Sequence, residues 1–455
     1  MRTEEPPPHE TAVALRTALA EKRASVGVIG LGYVGLPLAY ALHGAGLRVV
    51  GFDTDAQKVE ALAEGRNYLK HLGEALGAEL AESARFEATT DFARLGEVDA
   101  VLVCVPTPLG SAREPDLSFV LSTAHSIGRA LRAGQLLVLE STTYPGTTRD
   151  EFLPAVLEAA LAAGKSLEPG VDFFVAYSPE RADPGRTTHS TATIPKVVGG
   201  LDATSGELAG ELYRTCVEDV RVVTNAEVAE ASKLLENVFR AVNIALVNEL
   251  KVVLERLDIN VWEVVEAAST KPFGFMPFYP GPGLGGHCIP IDPFYLAWKA
   301  KQVGQPSRFV ELAGEINTEM PDYVIGRTVQ TLENAGVALR DARVLVLGLA
   351  YKPDVDDTRE SPSFELIAGL AALGAHVDYS DPHIPRTVPT RKHDLRRESV
   401  ALDADSIRSY DAVLIATAHR AFDYELLAEH AALIVDTRNA MAGFKDRLGS
   451  RLVRA

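Results

Sequence analysis

Apolar and polar positions follow two rhythms along the chain. Between residues 25 and 53 a short apolar run (SVGVI) meets a glycine-rich turn (GLGYVG), a helical stretch follows, and a second run ends in GFD. That order predicts strand, turn, helix, strand. Further short apolar runs with β-branched residues stand at 100–105 (AVLVCV), 136–139 (LLVL), 173–177 (FFVAY) and 196–198, separated by helical or turn-rich segments. Strands and helices alternating in this way predict a parallel, doubly wound sheet covered on both faces. The rhythm changes at 226–257, where no glycine or proline interrupts apolar positions at helical spacing. Such a helix would be about 48 Å long, and we expect it to join domains and to form a subunit interface. Beyond a Pro/Gly-rich loop at 271–293 and more helix, RVLVL at 343–347, a helix near 363–373, HVDYSD, AVLIA at 412–416 and LIVD at 433–436 predict a second, smaller αβ sheet. No repeat of 20 to 50 residues is visible.

Composition changes this picture little. The 455 residues suit three domains at roughly 150 residues each, and 47% hydrophobic with 24% charged residues is the balance of a folded globular chain. A net charge of −17 opposes sequence-independent binding to nucleic acid or to an anionic membrane. Cys104, Cys216 and Cys288 are too few and too scattered for a disulfide framework or a CxxC site, so a reducing cytoplasm is expected. MRTEEPPPH at the start is no signal sequence, and residues 1–20 are expected to be a flexible arm. No apolar run reaches the length of about 18 residues that a membrane-spanning helix needs.

Two segments carry candidate chemistry. Gly30, Gly32 and Gly35 form G-x-G-x-x-G directly after a predicted strand, and Asp53 ends the next strand 23 residues after Gly30. The glycines permit a tight turn, close approach of backbone to a pyrophosphate and close helix packing, while Asp53 would accept from a ribose diol and repel a 2′-phosphate. This predicts NAD rather than NADP; the plain alternative is an ordinary structural turn. The second segment is PGPGLGGHCIPIDP at 280–293. If Ile289 or Pro290 opens a helix, Cys288 sits at its N-terminus, where a thiolate is favoured, and Asp292 could act beside it as base or water-positioner. Alternatively Cys288 is a small buried apolar residue and His287 a solvated one. No metal-ligand spacing accompanies His287, and no metal is expected. On the long helix Lys233 and Asn237 stand at i and i+4 and share a face, either to serve a developing oxyanion or as part of a solvated surface.

Taken together, VIGLGYVGLPLA at 28–39, VPTP at 105–108, STTYPGTT at 141–148, YSPERADPG at 177–185, Lys233 and Asn237, the 280–293 loop and GLAYKPDVDDTRESP at 348–362 resemble the UDP-glucose/GDP-mannose dehydrogenase family over nearly the whole chain after residue 20. The resemblance implies an α/β fold with a Rossmann NAD-binding domain (21–212), a central long-helix dimerisation region (213–325) and a C-terminal Rossmann-like UDP-binding domain (326–455). It also implies oxidation of the C6 alcohol of a UDP-sugar to a carboxylate by two equivalents of NAD, in a homodimer or higher homo-oligomer. By the same resemblance Cys288 is the nucleophile that forms a thioester, Lys233 and Asn237 stabilise the C6 oxygen, Asp292 and Thr142 hold the water, and Glu180 serves thioester hydrolysis. Gly30, Gly32, Tyr33, Val34, Gly35, Asp53, Lys58, Thr107, Thr142 and Arg359 would bind NAD. Glu180, Arg181, Lys233, Asn237, Gly283, Leu284, Gly285, Tyr351, Lys352 and Arg438 would bind the UDP-sugar, the plain alternative for Lys352 and Arg438 being ordinary surface charges. Arg181 stands where UDP-glucose enzymes have an aromatic, and Pro184 where they have a second glutamate. The rebuilt loop is most like that of family members acting on UDP-N-acetylglucosamine, with UDP-N-acetylmannosamine and UDP-glucose as alternatives. The arginine that some relatives insert into a neighbouring subunit has no counterpart near Lys271 and Pro272. A non-catalytic NAD or nucleotide-sugar sensor is the rival reading from another class.

Overall fold

The computed structural model describes residues 9–69, 72–73, 75–110, 114–181, 192–286, 289–390 and 392–455. The chain forms two compact units: one ends at Glu236 and takes in Trp298–Val303, and the other comprises Asn237–Ala297 and Gly304–Ala455. The division falls within the long helix, after Glu236.

In the first unit the described strands are β1 (Ser25–Ile29), β2 (Arg48–Phe52), β3 (Phe86–Thr89), β4 (Ala100–Val103), β5 (Leu136–Leu139), β6 (Phe174–Tyr177), β7 (Lys196–Gly200) and β8 (Val220–Val223). They form one sheet in the order β3-β2-β1-β4-β5-β6-β7-β8. Successive residues of the central strands enter opposite cores: Ala100, Leu102, Leu136 and Val138 on one face, Val101, Val103, Leu137 and Leu139 on the other. Burial on both faces is why these strands read as continuous apolar runs. The order of strands reverses at β1, which has β2 and β4 as neighbours. Loops leaving the carboxyl ends of strands at such a switch point surround the usual ligand crevice.

Two features depart from the sequence reading. Residues expected as an arm include a helix, Glu10–Ala20, whose Ala12, Leu15 and Leu19 are buried in the sheet core. The 3–4 spacing of these residues is an amphipathic stripe, outweighed in the sequence by the prolines and glutamates before it. The sheet is also not wholly parallel: β7 pairs antiparallel with β6, placing Ala176 opposite Gly200 and Tyr177 opposite Gly199.

The second unit contains β9 (Arg343–Leu347), β10 (His376–Ser380), β11 (Ala412–Ile415), β12 (Ile434–Asp436) and β13 (Leu452–Arg454), in the parallel order β10-β9-β11-β12-β13. Again alternate residues serve two cores, Val344 and Val346 on one side and Leu345 and Leu347 on the other. The long helix spans Ala226–Arg256, 31 residues, or about 46 Å. Within the second unit it leaves Phe239, Leu246, Leu250 and Val253 between 40% and 49% exposed. Their offsets of 7, 4 and 3 residues place them along one face. Among the described residues, no helix is long and apolar enough to cross a membrane.

Candidate active site

The first unit builds the glycine turn as an N-terminal anion cradle. Gly30, directly after β1, has φ +90° and donates its N–H to the Phe52 carbonyl at 2.7 Å. A Cβ on Gly30 would lie 2.5 Å from the Cys104 oxygen, and one on Gly35 would overlap the Gly30 oxygen. These two glycines are required by packing. Gly32 differs: a Cβ there would meet nothing within 4 Å, so its missing side chain leaves backbone open to a ligand. Tyr33 and Val34 complete the turn, and Gly35 opens the helix Gly35–Gly44. This combination fits a bound pyrophosphate, with a helix N-terminus behind it.

Asp53 follows β2 and is 7% exposed. Its Oδ2 accepts from the Leu31 N–H at 2.9 Å and from Lys58 Nζ at 3.1 Å, and its Oδ1 accepts from the Asp55 N–H at 2.9 Å. A carboxylate has about four acceptor positions, so one remains for a ribose hydroxyl beside Lys58. Thr107, buried, and Thr142, half-buried, lie on the loops after β4 and β5. These loops are tied by Ser141 Oγ, which donates to the Val105 carbonyl at 2.8 Å. Sequence reasoning missed Glu230, which accepts from Gly146 N–H (2.6 Å), Thr148 N–H (2.9 Å) and Thr148 Oγ1 (2.7 Å), anchoring the STTYPGTT loop to the start of the long helix. Burial pushes its carboxyl up to about 7, against the opposing pull of those donors.

Glu180 comes three residues after β6. Its Oε1 accepts from the Arg181 N–H at 2.9 Å, its Oε2 from Lys196 Nζ at 3.1 Å, and its carbonyl from Lys233 Nζ at 2.7 Å. Lys233 is only 6% exposed, so this part of the helix is not a solvated face. Arg181 points away from Glu180, toward Glu236 (2.6 Å) and the Pro195 carbonyl (2.7 Å). The structure therefore brings Lys233 and Glu180 together; Lys196 was not singled out from sequence.

The second unit supplies the other predicted group. Asn237 is fully buried; its Nδ2 donates to Asp292 Oδ2 at 2.5 Å, and its Oδ1 accepts from Arg240 at 2.6 Å. Asp292, 2% exposed, is the first residue of the helix Asp292–Gln302. The helix thus opens later than Ile289 or Pro290, the starts considered from sequence. Pro290 disfavours helical backbone at Ile289, whereas Pro293 fits the first turn after Asp292. His287 and Cys288 lie outside the described residues, as does Pro184.

A buried amide ladder holds the loop before that helix. The Gly281 N–H donates to Asn248 Oδ1 (3.0 Å), Asn248 donates to Asn317 (2.9 Å), and Asn317 donates to the Ala241 carbonyl (3.0 Å). Gly283, with φ +137°, would place a Cβ 3.2 Å from Pro362, and Gly285 would place one 2.6 Å from Tyr351 Cβ. Gly283, Leu284 and Gly285 are all half-buried, and the Gly286 N–H donates to the Arg359 carbonyl at 2.9 Å. Lys352 Nζ lies 5.5 Å from the Tyr351 ring centre. Arg359 is clamped by Asp357 at 3.0 and 2.6 Å. Arg438 donates from Nε to the Ala416 carbonyl at 2.8 Å, and its guanidinium occupies the space a Gly281 side chain would need. The structure thus gathers Gly283–Gly285, Tyr351, Lys352 and Arg438 around one loop. Lys251, 3% exposed, was also missed: its Nζ has no hydrogen-bond partner and lies 5.0 Å from the Tyr323 ring centre.

Three domain models match the chain in succession: the NAD-binding domain at residues 24–217, the central domain at 227–319 and the UDP-binding domain at 345–443. The UDP-N-acetyl-D-glucosamine 6-dehydrogenase of Pseudomonas aeruginosa is 35% identical over 88% of this chain and 92% of its own length. The UDP-N-acetyl-D-mannosamine dehydrogenase of Pyrococcus horikoshii is 34% identical over 91% of this chain and 95% of its own. A solved structure of the UDP-D-ManNAc dehydrogenase from Pyrococcus horikoshii superposes with a TM-score of 0.81 at 32% identity, covering 91% and 96% of the two chains. With NAD-binding, central and UDP-binding domains matched in order, the chain belongs to the UDP-glucose/GDP-mannose dehydrogenase family and is an NAD-dependent oxidoreductase.

Proposed function

We propose that the protein oxidises the C6 hydroxymethyl group of UDP-N-acetylglucosamine to the carboxylate. The observation that carries this reading is the burial of both helix-borne groups, Lys233 against Glu180 and Asn237 against Asp292. A sensor would have no use for these desolvated polar pairs. Overall, R–CH2OH, two NAD+ and water give R–COO−, two NADH and three protons.

NAD+ bound on the Gly30, Gly32, Tyr33, Val34 and Gly35 turn, with Asp53, Lys58, Thr107, Thr142 and Arg359, supplies the hydride acceptor for both oxidations. Lys233 and Asn237 donate to the C6 oxygen as negative charge develops on it. Cys288 sulfur adds to the C6 aldehyde, and after the second oxidation it holds the sugar as a thioester. Asp292 and Thr142 position a water and Glu180 takes its proton as its oxygen attacks the acyl carbon; the C–S bond breaks and sulfur leaves as thiolate. Gly283, Leu284, Gly285, Tyr351, Lys352 and Arg438 hold the UDP portion, where the cations suit a diphosphate. Arg181 distinguishes the acetamido sugar.

The exposed stripe Phe239, Leu246, Leu250 and Val253 supports a second copy of the chain as partner on the long helix. The absence of a disulfide framework in the sequence supports a cytoplasmic location. Substrate identity is tested by kcat/KM with UDP-N-acetylglucosamine, UDP-N-acetylmannosamine and UDP-glucose in parallel. Preference for the first is expected; preference for either of the others would replace it, and inactivity on all three would favour the sensor.

A further inference from the structure

Beneath Glu180 lies a buried charged cluster that none of the proposed steps uses. Lys196 Nζ stands 2.6 Å from Glu140 Oε2 and 3.1 Å from Glu180 Oε2. Side-chain exposure falls from 15% at Glu180 to 5% at Lys196 and 0% at Glu140. The other Glu140 oxygen accepts from the Tyr213 hydroxyl, and the Lys196 ammonium lies 5.0 Å from the Tyr213 ring centre. Among the described residues, Cys104 and Cys216 also lie within electrostatic reach of Glu140, Lys196 and Glu180. Toward Glu180, the charged residues among the described ones include Arg181, whose N–H donates to Glu180 Oε1, and Lys233, which donates to the Glu180 carbonyl.

The antiparallel strand explains how the cluster is assembled. Pairing of Ala176 with Gly200 and Tyr177 with Gly199, continued for three residues, sets Glu180 across from Lys196. Ser178 Oγ, donating to the Val197 carbonyl at 2.9 Å, holds that continuation. Glu140 enters from the end of β5, and Tyr213 from the helix Ala203–Arg214. One cation between two carboxylates leaves a formal charge of −1 in a place where charge is costly. Buried ion pairs of this kind are often no more stabilising than apolar residues of equal size, and a cluster that reaches a candidate base has a functional use.

We propose that Lys196 is a positioning residue for thioester hydrolysis: gripped from behind by Glu140 and Tyr213, it fixes the Glu180 carboxylate in the orientation that takes the proton from water. This rests on the reading of Glu180 as that base. Burial alone would lower the Lys196 ammonium's pKa, but Glu140 and Glu180 more than reverse this and keep it charged. Glu140, in turn, is pushed up by burial despite Lys196. Removing the ammonium would leave two carboxylates facing each other and make Glu180 harder to ionise. Removing the Glu140 charge would do the opposite.

The test compares Lys196→Met, Lys196→Arg, Glu140→Gln and Glu180→Gln with the wild-type enzyme on UDP-N-acetylglucosamine and NAD+. Steady-state NADH formation is measured against pH, together with the rapid NADH burst of the first turnover. Lys196→Met should keep the burst, lose about 10- to 100-fold in kcat, and move the acid limb of the profile up by about one unit. Glu140→Gln should move that limb down, and Lys196→Arg should restore most of the rate. Unshifted acid limbs in both charge-removing variants would overturn the proposal, whatever the loss of rate. Should Lys196→Met fail to fold, the direction of the Glu140→Gln shift and rescue by Lys196→Arg decide. Wild-type turnover by Glu180→Gln would instead overturn the underlying role of Glu180.

Discussion

Replacing Lys251 with methionine should stabilise the protein, and the gain should depend on pH. The ammonium is 3% exposed and has no hydrogen-bond partner. Burial, reinforced by the charges of Arg438 and Arg327 and opposed by Glu255, pushes it down from an ordinary 10.5 to about 7. At 1.36 kcal/mol per unit that shift corresponds to roughly 5 kcal/mol. Below pH 7 both folded and unfolded chains carry the proton, and the fold bears the whole cost of a buried ammonium. Between about 7 and 10.5 the unfolded chain binds a proton that the folded chain does not, so this cost fades as pH rises. Methionine keeps the stem's length and removes the charge, while Glu255 retains its 2.5 Å ion pair with Arg327. Denaturant unfolding of wild type and Lys251→Met at pH 6 and pH 10 measures the difference. A gain of about 3–5 kcal/mol at pH 6 that shrinks below about 1 at pH 10 is expected. Equal stability at pH 6, or a pH-independent gain, would refute the assignment of a buried, unpaired ammonium.

Other consequences follow from the same geometry. Gly32→Ala should leave the melting temperature unchanged while weakening NAD binding, because a Cβ there meets no protein atom. Gly35→Ala should cost about 1–3 kcal/mol of stability as well, since its Cβ would overlap the Gly30 carbonyl; thermal unfolding and cofactor titration separate the two. Asn237→Ala should lower kcat by about 10²–10³-fold and take one hydrogen bond from the buried Asp292 carboxylate, as steady-state kinetics would read. Leu250→Glu, on the exposed stripe, should reduce the particle to a single chain in light scattering, whereas an unchanged mass would exclude that face as the interface.

Much of this architecture is legible in the sequence because burial on both faces turns central strands into plain apolar runs, as in AVLV at β4 and LLVL at β5. Asp53 was equally legible, since the glycine turn and the next strand fix its position locally. The polar partners were not. Glu140 and Lys196 are 56 residues apart, and nothing local announces that β7 reverses to bring Lys196 across from Glu180. Lys251 reads as one more charge on a long helix, and only the packing around it shows that it is desolvated. The helix Glu10–Ala20 was hidden by the composition before it, although Ala12, Leu15 and Leu19 carry the apolar spacing. The late helix start at Asp292 reflects two prolines, Pro290 before the helix and Pro293 in its first turn.

The central claim is that one active site removes four electrons from C6 and releases only the acid. The most direct test supplies purified enzyme with excess NAD+ and a limiting, known amount of UDP-N-acetylglucosamine, then counts NADH and identifies the product by mass. Two NADH per sugar with the uronate as sole product is the predicted result. One NADH per sugar with free aldehyde accumulating would contradict the thioester route.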